Sequence, residues 1–199
     1  MRPTLVLFVR APVFGRGKRR LAREIGDIGA VRFERMMIAR LLRSLARDRR
    51  WRLRIAVTPD RACRHAQEWR KGVEAVAQGK GDIGVRMRRA LAVCPPGPAV
   101  LIGADIPTLD IGHLAEAFRL LGRYDLVFGP AEDGGFWLVG ARHPKHLPAI
   151  FQRVRWSSPF ALADALASLP RRIKVGHAAM LEDVDDADAY HRLNPARGF

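Results

Sequence analysis

The sequence predicts an α/β fold built on a mainly parallel sheet, and three observations carry that prediction. The apolar runs at 4–9 (TLVLFV) and 99–103 (AVLIG) are continuous rather than alternating, as in strands covered on both faces. Strand-like segments alternate along the chain with segments of helical spacing, which is the order of an α/β sheet. Polar clusters follow directly after predicted strands, where sheets of this kind hold their ligands.

The elements follow in order. Residues 4–9 form the first buried strand, and a loop with Pro12, Gly15 and Gly17 leaves it. Residues 30–47 place Val31, Met37, Ile38, Leu41, Leu42 and Leu45 at helical spacing against an Arg-rich polar face. Residues 52–57 (RLRIAV) alternate like a strand and stop at Thr58-Pro59. A helix is predicted at 60–70, a short strand at 73–77, and a helix at 82–93 after the Gly79–Gly81 turn. Pro95, Pro96, Gly97 and Pro98 break the chain before the strand at 99–103. A helix at 110–121 precedes strands at 124–128 (YDLVF) and 135–140 (GFWLVG). A helix at 158–169, a strand near 172–175 and a helix near 185–193 complete the order. With 199 residues, no repeat and no long linker, residues 1–199 are expected to form a single domain.

Composition narrows the class. Hydrophobic residues make up 48%, which supports an ordinary core. No apolar run reaches the ~20 residues of a membrane helix, and 4–9 is too short for a signal-peptide core, so a cytoplasmic protein is expected. Cys63 and Cys94 lie far apart without CxxC spacing, which argues against a disulfide or a zinc site. The six histidines show no HxxxH or HExxH spacing, and Ser157-Ser158 lacks the GxSxG context of a hydrolase elbow. The net charge is +15, with 30 arginines against 5 lysines. Residues 1–54 carry +12 of it, whereas 181–190 (LEDVDDADAY) holds five acids. A GC-rich genome explains the arginine bias, and binding of a polyanion is the sharper alternative. No zinc-finger or RRM-like motif accompanies the basic region, so nucleic acid is the minor reading.

Several clusters carry candidate chemistry. APVFGRGKRRLA (11–22) sets glycines beside Arg16, Lys18, Arg19 and Arg20. Close backbone approach plus cations suits a di- or triphosphate, although the loop is no Walker A motif, and a solvated basic loop is the plain reading. GADIP (103–107) puts Asp105 just past a buried strand. A carboxylate there can hold Mg²⁺ or Mn²⁺ when phosphates supply the other ligands. It can also cap the next helix, although Asp110 is better placed for that. In GPAEDGG (129–135), Asp133 can be a base, a metal ligand or a hydroxyl acceptor, or the stretch is turn chemistry alone. In QGKGDIGVRM (78–87), Asp82 and Arg86 form an i,i+4 pair at a helix start, and Asp82 can be a plain N-cap. LEDVDDADAY reads first as an acid-rich helix start.

Taken together and in this order, FVRAPVFGRGKRRLA, GDIGVRM, GADIPTL, GPAEDGGFWLVG, VRWSS and LEDVDDADAY resemble the bacterial selenodomain-associated transferases. That group looks like a branch of the nucleotide-diphospho-sugar transferases with the GT-A fold. The resemblance runs from about residue 4 to 193 and implies a GT-A-like, Rossmann-like mixed sheet, mainly parallel and flanked by helices. The chain departs from the pattern at Arg19, where threonine is usual, at Phe136-Trp137, where tyrosine is common, and at Ile106, where cysteine is frequent. A literal DxD motif is absent around Asp105.

By that resemblance, Ala11, Pro12, Gly15, Arg16 and Lys18 wrap the nucleotide and its phosphates, and Asp82 and Arg86 lie near the nucleoside. Asp105 and Asp183 hold Mg²⁺ or Mn²⁺. Asp133 faces the acceptor with Glu132, Gly134 and Gly135 around it, and Asp133 and Lys18 are the candidate catalytic residues. The expected activity is metal-dependent glycosyl transfer from a nucleotide-sugar to a small-molecule acceptor. Nucleotidyl transfer from an NTP to a phosphorylated small molecule is the nearest alternative. A non-catalytic nucleotide- or RNA-binding module is the alternative of another class.

Overall fold

A computed structural model describes residues 1–147, 150–184 and 187–193. Seven strands form one sheet in the order β3-β2-β1-β4-β6-β5-β7. They are β1 (Thr4–Arg10), β2 (Arg52–Thr58), β3 (Glu74–Ala77), β4 (Ala99–Ile102), β5 (Leu126–Pro130), β6 (Phe136–Ala141) and β7 (Val175–His177). Pairing is parallel throughout except for β6, which runs antiparallel to both β4 and β5. The sheet is therefore mixed and mainly parallel, as the sequence predicts.

Among the described residues six α-helices complete the order: α1 (Arg19–Leu45), α2 (Cys63–Ala66), α3 (Ile83–Ala92), α4 (Ile111–Leu120), α5 (Ala161–Ala167) and α6 (Ala187–Leu193). The two-residue period of the strands divides the core. Leu5, Leu7, Ile55 and Ile102 face the second half of α1 and α4. Val6, Ala56, Leu101 and Phe128 face α3 and α5. Burial on both sides explains why β1 and β4 read as unbroken apolar runs. A third, smaller cluster joins Leu21, Phe33 and Met37 of α1 to Val184 and Ala189, with Phe33 and Tyr190 packed edge to face at 5.5 Å.

Several boundaries differ from expectation: α5 spans Ala161–Ala167 rather than 158–169, and β7 lies at Val175–His177 rather than near 172–175, since Ile173 N–H still closes a turn onto Pro170 O. Helix α1 begins at Arg19 rather than near residue 30, and Gly26 interrupts it with φ 75° and ψ 159°. Leu21 before this kink and Phe33 and Met37 after it serve the third cluster, while Ile38, Leu41, Leu42 and Leu45 serve the sheet, so no single helical stripe spans the whole of α1. The helix expected at 60–70 is a 3₁₀ turn plus the four residues of α2. Gln67 ends it, because its side chain donates to Val73 O and accepts from Ala75 N and so turns the chain into β3. Strand β5 starts two residues later than expected, since Tyr124 N–H still donates to Leu120 O at the end of α4. Both cysteines are free thiols. Among the described residues no helix is long and apolar enough to cross a membrane.

Candidate active site

A cleft of about 980 Å³ opens over the carboxyl ends of β1, β2 and β4 and the start of β6. Its ionic centre is Lys18. The ammonium, with a side chain only 9% exposed, donates to Asp105 Oδ2 at 3.0 Å and also to Val184 O. Val184 N–H in turn donates to Asp105 O at 3.0 Å. One lysine thus joins three distant stretches, namely the loop after β1, the loop after β4 and the segment before α6. Asp183, next to Val184, lines the same cleft.

Glu34 of α1 is a member of this group that the sequence did not single out. It lines the cleft, and its carboxylate lies against Gly17, where a Cβ would come within 2.7 Å of Oε1. Burial raises its pKa, while Lys18, Arg10 and a hydrogen bond from the Lys18 backbone oppose that shift. The cue available in the sequence was one acid on the Arg-rich side of a helix, which reads as an ordinary surface pair. Arg10, at the end of β1, lines the cleft as well and was also missed.

The other predicted residues fall into two groups. Gly15, Arg16, Lys18, Arg86, Asp105, Asp183, Asp133 and Gly135 all line the cleft. Ala11 and Pro12 do not: Ala11 is buried and donates its N–H to Thr58 O, which anchors the loop that Val13 and Arg16 close into a turn. Asp82 is likewise off the cleft wall and caps α3, accepting from Val85 N at 2.8 Å. Glu132 and Gly134 belong to the turn between β5 and β6 without lining the cleft.

In that turn Ala131 N–H donates to Gly135 O, Gly134 N–H donates to Ala131 O, and Asp133 Oδ1 accepts from Gly135 N at 2.8 Å. The acids and glycines are thus a hairpin turn, and the turn also sets Asp133 on the cleft. Arg86 is held by Gln78, which opens the 78–87 stretch but was given no role from the sequence. Arg86 Nη1 donates to Gln78 Oε1 at 3.0 Å, and buried Gln78 donates Nε2 to Val9 O and Ala56 O. Burial and nearby Arg10 lower the Arg86 pKa, against the pull of Asp82 and Asp60. A smaller groove of about 370 Å³ between α1 and α4 lies away from the strand ends. Its one carboxylate, Asp110, is committed to the capping box of α4 with His113.

Among the described residues no group of three His, Cys, Asp or Glu side chains could hold a metal ion by itself. Asp105 and Asp183 supply carboxylate oxygens, which fits Mg²⁺ or Mn²⁺ where phosphate oxygens complete the shell. Asp105 already accepts from the Lys18 ammonium, so a metal there would share the carboxylate with it, on Oδ1.

Comparison with solved structures places this arrangement. Over its full length the chain superposes with TM-score 0.88 and 28% identity on a "putative nucleotide-diphospho-sugar transferase" from Desulfovibrio desulfuricans, covering 90% of that chain. It matches 4-diphosphocytidyl-2C-methyl-D-erythritol synthase from Anaerococcus prevotii over 99% of its own length and 96% of that chain, with TM-score 0.63 and 10% identity. It matches glucosyl-3-phosphoglycerate synthase from Mycobacterium tuberculosis, solved with Mn²⁺, UDP and glucosyl-3-phosphoglycerate, over 91% of its length and 70% of that chain, with TM-score 0.54 and 12% identity. At such identities the last two share the fold alone. The fold is the GT-A-like arrangement of nucleotidyl and sugar transferases. The chain belongs to the family described as "Uncharacterized protein conserved in bacteria (DUF2064)", matched over residues 41–158. No curated protein matches it in sequence.

Proposed function

We propose that the protein is a transferase using a nucleotide-activated donor, and that it performs metal-dependent glycosyl transfer from a nucleotide-sugar to a small-molecule acceptor in the cytoplasm. Membership of the selenodomain-associated branch, which the motifs resemble, belongs to the same reading. The observation that carries the proposal is the Lys18–Asp105–Val184 node, set among Arg10, Arg16 and Arg86 in the cleft that also holds Asp133.

Lys18, Arg16 and Arg10 would bind the donor phosphates and offset the charge growing on the leaving group. Asp105 and Asp183 would hold a divalent cation. When bound, such a cation adds positive charge beside the phosphates and acts as a Lewis acid. Arg86, braced by Gln78, would contact the nucleoside end, with Asp82 fixing the start of its helix. Asp133 would accept the proton of the acceptor hydroxyl, and Ala11, Pro12, Gly15, Glu132, Gly134 and Gly135 would shape the two loops.

Nucleotidyl transfer from an NTP to a phosphorylated small molecule is a second reading. Its support is the number of cations on the phosphate side, where Arg19 and Arg20 also line the cleft. In that case the acceptor needs no base, and Asp133 would orient it or take a metal.

A thermal-shift panel of nucleotide-sugars and NTPs, each with and without Mn²⁺, tests the proposal on wild type, Asp105→Ala and Asp105→Asn. A ligand that binds the native state raises Tm with its concentration relative to Kd. A metal-dependent shift with a nucleotide-sugar, lost in both variants, is expected. A shift with a bare NTP only, followed by pyrophosphate release, would replace glycosyl with nucleotidyl transfer. No shift with any nucleotide would sink the donor reading.

A further inference from the structure

The cleft is chemically asymmetric. Among the described residues, every lysine and arginine on its wall comes from residues 10–20 or is Arg86. The wall contributed by residues 131–161 has none, and its one acid is Asp133. That side is instead aromatic and hydroxylic, with Phe136, Trp156, Ser157 and Ser158.

Phe136 and Trp156 are both half-buried and lie with ring centroids 6.2 Å apart. Buried Phe151 backs both, stacked on Phe136 at 6.0 Å and 5.7 Å from Trp156. The edge of the Trp156 ring meets Gly84 of α3, where a Cβ would come within 2.6 Å of Cζ2. The indole is therefore fixed in orientation from two sides.

The stretch that carries it is strapped to the β5–β6 turn. Arg155 donates from its backbone N–H, Nε and Nη2 to Asp164, and so is occupied outside the cleft. Ser158 Oγ donates to Arg155 O, and Leu162 N–H donates to Gly134 O. Ser157, between them, has φ 56°, a left-handed conformation that costs a non-glycine residue energy and gathers at ligand sites.

We propose that this wall is a subsite for an uncharged, hydroxylated ring, a pyranose or cyclitol, whose flat C–H face packs on the Trp156 indole with Phe136, inclined at 62° to it, against its side, and whose rim hydroxyl reaches Asp133. The identification rests on the proposed transfer reading and names its acceptor class. A phosphorylated acceptor here would meet a carboxylate, with no cation on the same wall to balance it. A neutral ring meets an apolar floor with a few polar groups at its edge, which is how small-ligand sites are lined. The VRWSS motif thereby acquires a role, and the wall favours glycosyl over nucleotidyl transfer.

Saturation-transfer NMR with Mg²⁺ present tests this. The neutral probes are methyl α-D-glucopyranoside, methyl α-D-mannopyranoside and myo-inositol, and the charged probes are glucose 1-phosphate, mannose 1-phosphate and inositol 1-phosphate. The nucleotide panel is run by thermal shift on the same samples. Transfer to the ring C–H protons of a neutral probe is expected, with the phosphate counterparts at least tenfold weaker. Trp156→Ala should lose tenfold or more in affinity for the ring while nucleotide shifts persist. Trp156→Leu and Phe136→Leu, which keep apolar bulk without the flat face, should do the same. Phosphates binding as well as or better than neutral rings would overturn the proposal, as would neutral binding unchanged in all three variants. Nucleotide shifts without binding of any ring would overturn it and leave the donor reading standing. Ring binding without nucleotide shifts would uphold it and remove the donor reading, and neither signal would remove both.

Discussion

Replacing Gln78 with leucine should weaken the fold and the proposed nucleotide end of the cleft together. The side chain is 1% exposed. Its Nε2 donates to Val9 O and Ala56 O, each at 2.9 Å, across the ends of β1 and β2. Its Oε1 accepts from Arg86. Leucine fills similar space but offers neither donor nor acceptor. Each buried carbonyl that loses its donor costs about 1 kcal/mol net where other bonds remain, and up to ~3 where none does. Two carbonyls give a loss of about 2–6 kcal/mol, to which Arg86 adds little because water reaches the cleft. At a urea m-value of about 2 kcal/mol/M, the midpoint should fall by ~1–3 M with m unchanged. Gln78→Glu should be hit at least as hard, since it aims carboxylate oxygens at the same two carbonyls. Gln78→Leu should also bind nucleotide more weakly, with Arg86 released, whereas the carboxylate of Gln78→Glu still accepts from Arg86. A Gln78→Leu unfolding free energy within ~0.5 kcal/mol of wild type would refute this account of how β1, β2 and Arg86 are joined.

Gly134→Ala should cost about 2–4 kcal/mol in the same urea assay, since φ is 82° and a Cβ would lie 2.2 Å from Pro159 O. A neutral result would mean the β5–β6 turn is not packed against the 155–159 segment as described. Burial raises the Glu34 pKa above its ordinary 4.5, so between the two values the folded state binds more protons than the unfolded one. Stability therefore falls as pH rises through that window. Glu34→Gln should remove this component, and its Tm relative to wild type should climb as pH rises from 4.5. A difference independent of pH would contradict the shift. Asp164 goes the other way, lowered from 3.8 to about 2 first by the Arg155 guanidinium and then by the Arg155 backbone N–H. Its contribution is complete above 3.8 and lost as pH falls toward 2, so Asp164→Asn should show a shallower acid limb in Tm against pH.

The strands were legible because burial on both faces leaves a composition that no loop shares. TLVLFV and AVLIG are apolar at nearly every position, and the structure puts helices on both sides of them. Helix α1 was half legible for the opposite reason. Its first turns bury Leu21 against Val184 and Ala189, which are remote in the chain, and nothing local announces that partner. Gly26 then breaks the phase, so a window laid across it finds no stripe. The 60–70 segment failed through competition. Gln67 spends its amide on Val73 and Ala75, bonds that a continued helix would have left to the backbone.

The site followed the same rule, with a further twist for its acids. A carboxylate at a turn or helix start can be structural, functional or both, because its two oxygens accept about four hydrogen bonds. Asp82 and Asp133 are alike in sequence, each beside glycine and each accepting one backbone N–H two or three residues on. What separates them is where the sheet puts the turn. Asp133 lies just before β6, which pairs antiparallel to β4 and so begins at the end where β1 and β4 finish. Asp82 caps a helix that brings Arg86, not Asp82, to the cleft wall. Lys18 was readable from its neighbours, yet its partners Asp105 and Val184 lie 87 and 166 positions away. Nothing in the sequence gave Glu34 or Gln78 a role, although Gln78 opens the 78–87 stretch, since each acts by holding a residue that the sequence had already named. Motif spacing finds the groups that would touch a ligand, and the residues that aim those groups become visible only when the chain has closed around them.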